Sequence, residues 1–188
     1  MARPKSNNKR QAILDAAVRV IVVQGLSAPT AAIAKEAGIA NGSLFTYFKT
    51  KAELYNQLYI DLKTQIATAA LKGFPAKAEL RTQLYHAWTN WMAYAVAHPE
   101  HRHAMKQLSV SEEITPETRA IVFKNMAELI HLMEQVRLNG PMKNDPQTIT
   151  GSLITGIFEA TMDTMIQDPA NAKKHSKTAF NALWRMMG

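Results

Sequence analysis

The most constraining feature of this sequence is the spacing of its apolar residues, which follows the period of an α-helix almost throughout. Near the N-terminus, Ile13, Ala16, Ala17, Val20 and Ile21 recur at i, i+3, i+4, i+7 and i+8, so they lie on one helix face. The alternating β-branched runs that are typical of strands do not occur in the sequence. The pattern predicts an all-α fold of about nine helices.

Glycine and proline residues predict where these helices begin and end. Gly25 and Gly38 are placed to end the first two helices, and Thr115-Pro116 has the form of a cap followed by proline at the first helical position. Later helices are predicted over 76–97, over 115–138 as one continuous helix, and over 146–167 and 169–187. The short helices indicate an N-terminal domain over residues 1–50, and the longer ones a second domain over 51–188.

Charge is concentrated at the start of the chain. The net charge is +7, and residues 1–51 carry eight basic but only two acidic side chains, which favours a polyanionic partner. A basic surface kept for solubility is the alternative. The chain has no cysteine, no apolar run of about 18 residues and no secretory signal, so we expect a cytoplasmic protein without a membrane partner.

The first three predicted helices have the pattern of a helix-turn-helix. Ile33 and Ala34 are predicted to face the core, and Gly38 permits a tight turn. The third helix starts with small residues, which let its N-terminus approach DNA closely. Its polar side chains suit base edges, and the lysines that follow suit phosphates. A three-helix bundle without a role in DNA binding is the alternative.

The stretch from Ile33 to Leu54, IAKEAGIANGSLFTYFKTKAEL, resembles the signature of the TetR family of transcriptional regulators. Residues 1–6, 98–118, 159–163 and 168–170 further resemble the RamR-type multidrug-sensing repressors. The resemblance implies a repressor that binds a palindromic DNA operator as a homodimer and is released by a small-molecule effector.

The resemblance and the helix-turn-helix pattern together assign a set of DNA-contacting residues. The predicted set is Thr30, Asn41, Gly42, Ser43, Phe45, Thr46, Tyr47, Lys49 and Lys51. Phe45 departs from the more common tyrosine of the family, so a phosphate-binding hydroxyl is missing there, and its ring is expected either to pack against a sugar or to turn inward. Phe48 is expected to pack inward.

An effector pocket is predicted in the C-terminal domain. The resemblance places Tyr59, Lys63 and Ile154 in it. The aromatic stripe of the helix over 76–97 adds Trp88 and Trp91, and Phe158 of the helix over 146–167 completes the predicted set. Simple core packing is the alternative for each aromatic residue. The related pockets have a phenylalanine at the position of Ile154 and an acid at that of Gly151, so an anchor for a cationic drug is missing and the effector is expected to be largely apolar.

The last two helices are predicted to form the homodimer interface. Their apolar residues are Leu153, Ile154, Ile157, Phe158, Met162, Met165, Phe180, Leu183, Trp184 and Met187. A core within one chain is the alternative interpretation.

The remaining candidates for chemistry are weaker. His98, His101 and His103 with Glu100 have a metal-ligand spacing, but a polar helix junction is favoured, so neither metal nor cofactor is expected. The sequence contains no catalytic motif, which indicates a protein that is not an enzyme. A small-molecule binding protein of the same fold, an activator, or a DNA-binding regulator without an effector remain the alternative functions.

Overall fold

The computed structural model describes the backbone of residues 3–188 and the side chains of residues 8–188. Met1, Ala2 and the side chains of Arg3 and Lys5, on which part of the sequence interpretation depends, lie outside the described residues. The described part contains ten α-helices, two short 3-10 turns and no strand, which confirms the all-α prediction. None of its helices is long and apolar enough to cross a membrane. The helices are α1 (Arg3–Gln24), α2 (Thr30–Glu36), α3 (Asn41–Tyr47), α4 (Lys51–Leu71), α5 (Leu80–Ala97), α6 (Pro99–Ser109), α7 (Pro116–Asn125), α8 (Ala127–Leu138), α9 (Gln147–Gln167) and α10 (Ala172–Met187).

The chain divides into two compact units. Unit 1 contains the residues up to Thr64 together with His98–Lys124, and unit 2 contains Gln65–Ala97 and Asn125–Gly188. This division follows contacts within the fold and not function. The predicted functional boundary at residue 50 therefore stays a prediction.

Unit 1 is organised around the apolar face of α1. The five residues that the sequence places on this face, from Ile13 to Ile21, are at most 5% exposed, and α2 and α6 both pack against α1. Gly25 and Gly38 have φ angles of +73° and +68°, the left-handed conformation that glycine adopts without a steric cost. The predicted ends of α1 and α2 are therefore confirmed.

Two helix boundaries differ from the sequence prediction. The helix predicted over 115–138 is divided into α7 and α8 at Met126, whose φ and ψ of −99° and 7° are not helical. No proline or glycine marks this break, so the apolar pattern runs through it unaltered. The helix predicted from residue 76 begins at Leu80, because the Gln83 amide donates to the carbonyls of Ala76 and Ala78 and holds that segment as a turn.

The core of unit 2 is built on aromatic side chains from α5, α9 and α10. The ring of Trp88 lies edge-on to Phe158 at a centroid distance of 4.6 Å and contacts Phe180 at 6.1 Å. Its indole Nε1–H donates to Oγ of the buried Ser176 over 2.9 Å. Since an indole N–H needs a partner when it is buried, this hydrogen bond allows tryptophan to occupy the centre of the core.

We expect Ser176→Ala to lower the free energy of unfolding by about 1–3 kcal/mol, because the Trp88 N–H is left buried without an acceptor. Urea denaturation followed by circular dichroism measures the change. Ser152→Ala, at an exposed serine of α9, is the matched control and should remain within about 0.5 kcal/mol of wild type. Equal stabilities of the two variants would contradict the assigned role of the hydrogen bond.

Candidate nucleic-acid interface

Helices α2 and α3 and the turn between them form a helix-turn-helix. Ile33 and Ala34 of α2 and Leu44 of α3 are at most 1% exposed, so both helices are anchored by their inner faces. The turn is closed by hydrogen bonds from the Gly38 and Ile39 amides to the carbonyls of α2. An ion pair of 2.5 Å between Arg19 of α1 and Glu36 further ties α2 to the rest of unit 1.

The residues predicted to contact DNA lie on the outer surface of this motif. Asn41, Gly42, Ser43, Phe45, Thr46 and Lys49 are exposed, whereas Thr30, Tyr47 and Lys51 are half-buried. The predicted residues of α3 are therefore accessible from outside the motif, apart from the half-buried Tyr47. Their contacts with DNA stay a prediction.

The structure defines which contacts two residues of α3 can offer to DNA. The Thr46 hydroxyl donates to the backbone carbonyl of Ser43, so it can offer an incoming base or phosphate only its oxygen as an acceptor while this bond is kept. Phe45 is 42% exposed, and an exposed phenyl ring with no hydrogen-bonding group is suited to contact with a sugar or a thymine methyl group.

The angle of α3 is set by contacts on its inner side, of which the sequence predicts only the inward packing of Phe48. Phe48 is 1% exposed, as expected, and the Arg10 guanidinium lies 5.1 Å from the centroid of its ring. Arg10 also donates to Oε1 of Gln57 on α4 over 2.7 Å. The sequence identifies Arg10 only as one of the eight basic residues of segment 1–51, and its role in joining α1, α4 and the end of α3 has no local sequence signal.

Helix α4 is anchored to the helix-turn-helix by Tyr55. The phenol of this buried residue donates to the Leu26 carbonyl, in the loop between α1 and α2, over 3.0 Å. Burial, assisted by the negative charge of Glu113, raises the pKa of Tyr55 to about 12. The Lys51 ammonium lies 5.4 Å from the centroid of the same ring, so the tyrosine also positions a predicted phosphate ligand.

Two reciprocal hydrogen bonds cap the N-terminus of α4. The Thr50 hydroxyl accepts from the Glu53 amide over 3.0 Å, and the Glu53 carboxylate accepts from the Lys49 amide over 2.8 Å. This reciprocal pair is a capping box, shifted by one residue in its return contact. It holds the backbone of Lys49 and Lys51 in a defined conformation while their side chains remain accessible.

The residues predicted to bind an effector belong to both units and are described unit by unit. In unit 2, Trp88 and Phe158 are 1% and 7% exposed and belong to the core, whereas Trp91 and Ile154 are half-buried at its edge. The ring centroids of Trp91 and Phe158 are 4.5 Å apart. Trp91 and Ile154 are thus the more accessible members of this group.

In unit 1, Tyr59 and Lys63 are one helical turn apart on α4. Tyr59 is buried, and the Lys63 ammonium and the Arg119 guanidinium lie 5.7 Å and 5.9 Å from its ring centroid. Burial raises the pKa of Tyr59, while the positive charge of Arg119 opposes this shift. The phenol therefore remains protonated and able to donate a hydrogen bond at neutral pH.

The apolar residues of the last two helices separate into two groups. Six of the ten residues predicted for the dimer interface are buried within their own chain: Phe158, Met162, Met165, Phe180, Leu183 and Met187. Leu153 is 43% exposed, and Ile149, outside the predicted set, is 48% exposed. Much of the predicted face is therefore intrachain core, which the alternative interpretation anticipated, and α9 retains a separate exposed face.

The histidine-rich junction before α6 brings only part of its predicted set together. His98, Glu100 and His101 are neighbours in space, and His103 is exposed on the same helix. Burial lowers the pKa of His101, while the negative charge of Glu100 opposes the shift.

Comparisons with known proteins agree with this geometry. Residues 13–58 match the family model described as bacterial regulatory proteins, tetR family. The fold is similar to that of a TetR family transcription regulator from Marinobacter aquaeolei VT8, at 24% identity, with 97% of this chain and 96% of that chain covered and a TM-score of 0.82. A putative regulator of the family from Shewanella sp. PV-4 has 24% identity, coverages of 94% and 96%, and a TM-score of 0.80. The TetR-like regulator LfrR from Mycobacterium smegmatis, in complex with proflavine, has 15% identity, coverages of 93% and 94%, and a TM-score of 0.67.

The raised pKa of Tyr55 gives a pH-dependent prediction. Because the folded state holds the proton more tightly than the unfolded chain, this group contributes stability below pH 10, and the contribution is lost as pH rises through about 12. Tyr55→Phe should be less stable than wild type at neutral pH, by about 1 kcal/mol for the lost hydrogen bond. The difference should shrink as pH rises above 10, in urea denaturation at each pH. A difference that is constant over this range would contradict the assignment.

Proposed function

We propose that this chain is a transcriptional repressor of the TetR family, which binds a palindromic operator as a homodimer and is released by a small-molecule effector. The proposal is supported by the match of residues 13–58 to the model of that family and by the similar fold of its solved members. As a regulator of bacterial transcription it would act in the cytoplasm. The RamR-type subgroup belongs to the same proposal and is supported by the sequence resemblance alone.

The observation that carries the proposal is the exposed polar face of α3 on a rigid, basic support. Asn41 and Ser43 offer hydrogen-bonding groups suited to base edges, and Lys49 and Lys51 lie at the next helix start with charges suited to phosphates. The inner face of the motif is fully anchored, so α3 can enter a major groove without a change in its own fold. A bundle without a DNA-binding role has no need for such a surface.

A continuous face of α9 supports the homodimer. Ile149, Leu153, Gly156 and Ala160 follow one another at i, i+4, i+7 and i+11, and all four are exposed. Two apolar side chains beside two small residues allow a second copy of the helix to approach closely. A twofold axis through this face would place the two copies of α3, the proposed recognition helix, about 34 Å apart, which is one turn of DNA. Because the two copies would then read the same sequence on opposite strands, the operator should be palindromic.

Effector binding is proposed on weaker structural support. Trp91 and Ile154 at the edge of the unit 2 core, and the Tyr59 and Lys63 pair of α4, are the predicted contacts. The similar regulator LfrR is in complex with proflavine in its solved structure. The Lys63 charge and the absence of an acid at Gly151 favour a neutral or anionic effector for this chain. Release would follow from a tilt of α4, which begins beside the recognition helix.

The alternatives differ in which of these features they need. A small-molecule binding protein of this fold would not need the polar face of α3 or the cap that positions Lys49. An activator, or a regulator without an effector, would bind DNA through the same surface, because repression depends on where the operator lies relative to the promoter. Selection of DNA ligands therefore distinguishes a repressor from a small-molecule binding protein. Transcription assays at a promoter that contains the selected site distinguish a repressor from an activator and from a regulator without an effector.

The experiment that tests the proposal is selection of tight binders from a random duplex DNA pool with the full-length protein. We expect a palindrome whose half-sites lie about one helical turn apart. Lys49→Ala should weaken binding to the selected site and reduce the slope of log affinity against log salt by about 1, because one phosphate contact is lost. Lys77→Ala, with the same charge change in the loop before α5, should alter neither. Sequence-indifferent binding would refute the proposed repressor.

The homodimer is tested by Leu153→Arg, which places a charge in the exposed α9 face. We expect wild type to be dimeric and the variant monomeric at micromolar concentration in sedimentation velocity, with operator affinity lost in parallel. Thr155→Arg is the control, since Thr155 is exposed on the same helix but lies outside the face. If both variants remain dimeric with wild-type affinity, the interface lies elsewhere.

A further inference from the structure

Three potential metal ligands meet at the start of α6. One donor atom each from His98, Glu100 and His101 lies within 4.8 Å of the other two. Oε1 of Glu100 is 3.7 Å from Nδ1 of His98 and 3.8 Å from Nε2 of His101. The two imidazole rings are nearly parallel, with centroids 4.9 Å apart, so both present nitrogen atoms toward the same carboxylate.

The local fold explains this convergence. Pro99 occupies the first position of α6, and His98 precedes it with a non-helical backbone of φ −130° and ψ 63°. His101 lies three residues further on, one turn into the helix. Because α6 starts at Pro99, His98 outside the helix lies beside His101 within it. The sequence spacing alone does not ensure this arrangement.

Two of the three distances between donor atoms are close to those that a metal ion requires. Ligand bonds of about 2.0–2.2 Å in a tetrahedral arrangement place neighbouring donor atoms about 3.4 Å apart. The carboxylate is within a few tenths of an ångström of this spacing to each imidazole. The side chains of His98 and Glu100 are each 42% exposed and have room to rotate inward, whereas that of His101 is only 19% exposed and provides a more fixed ligand.

Further negative charge surrounds the cluster from two other helices of unit 1. Asp15 of α1 and Asp61 of α4 lie close enough to His101 for their charges to act on its imidazole. The Gln11 amide donates to both carboxylates, over 3.0 Å and 3.3 Å, and so keeps them together. A cation at the cluster would therefore be favoured by three carboxylates, only one of which needs to be its ligand.

We propose that His98, Glu100 and His101 form a binding site for a divalent transition-metal ion of the zinc type, with water completing its coordination. Two imidazoles and one carboxylate suit Zn²⁺, Co²⁺, Ni²⁺ or Cu²⁺, whereas Mg²⁺ and Ca²⁺ prefer oxygen ligands. The site does not depend on the proposed repressor function. Binding joins the segment before α6 to its first turn and so stabilises unit 1.

Isothermal titration of the untagged full-length protein with Zn²⁺ tests the site. We expect one ion per chain, and at least a tenfold loss of affinity in His101→Gln, since loss of even an outer-sphere partner has an effect of this order. His103→Gln is the matched control, because it removes an exposed histidine of the same helix that is not in the cluster. Wild-type affinity no higher than that of a His98→Gln/His101→Gln double variant, or an equal loss in His103→Gln, would overturn the proposal.

A second measurement separates loss of the site from loss of the fold. Zn²⁺ should raise the Tm of wild type and of His103→Gln, and should leave that of Glu100→Gln unchanged, because an ion that binds only the folded state stabilises it. Glu100 is half-exposed, so this variant should keep the wild-type circular dichroism spectrum. A Zn²⁺-dependent Tm rise of the same size in Glu100→Gln, or a similar response of wild type to Mg²⁺, would also overturn the proposal.

Discussion

The helix-turn-helix of this protein depends on the burial of one face of α1. Ile13 and Ile21, at opposite ends of that face, are fully buried, and α2 and α6 pack against the same helix. Each such aliphatic side chain contributes about 1.5–3 kcal/mol through the apolar area that it removes from water. Because α2 is held from behind in this way, α3 can expose its polar residues without loss of its own position.

Polar contacts then fix the orientation of the helices that hydrophobic burial packs together. The Tyr55 phenol connects α4 to the loop after α1, and Arg10 connects α1 to α4 while its guanidinium covers the Phe48 ring. These contacts constrain the angle between α3 and α4. A tilt of α4 would therefore be transmitted to α3 through a few identifiable atoms, which is the physical basis of the proposed release from DNA.

Much of the candidate DNA-binding site could be predicted from sequence, because its determinants are local. Gly38 ends α2 by its positive φ, and Asn41 and Ser43 follow within a few residues on the next helix. The effector and dimer residues were harder to predict. Trp88 and Trp91 are three residues apart on α5, yet the first is buried with its N–H bonded to Ser176 while the second is half-exposed. Periodicity places both on one side of a helix and does not distinguish the centre of a core from its edge.

By itself, then, the sequence determined the helical class, most helix ends and the position of the helix-turn-helix, since these depend on φ preferences, caps and spacing within a few residues. Only the tertiary structure decided that Phe158 lies in the core while Leu153 of the same helix is exposed, that the helix over 115–138 breaks at Met126, and that His98, Glu100 and His101 converge without His103. The physical reason is that an apolar or polar pattern defines a helix face. Which other helix covers that face, and which side chains then meet, depends on contacts between residues far apart in the chain.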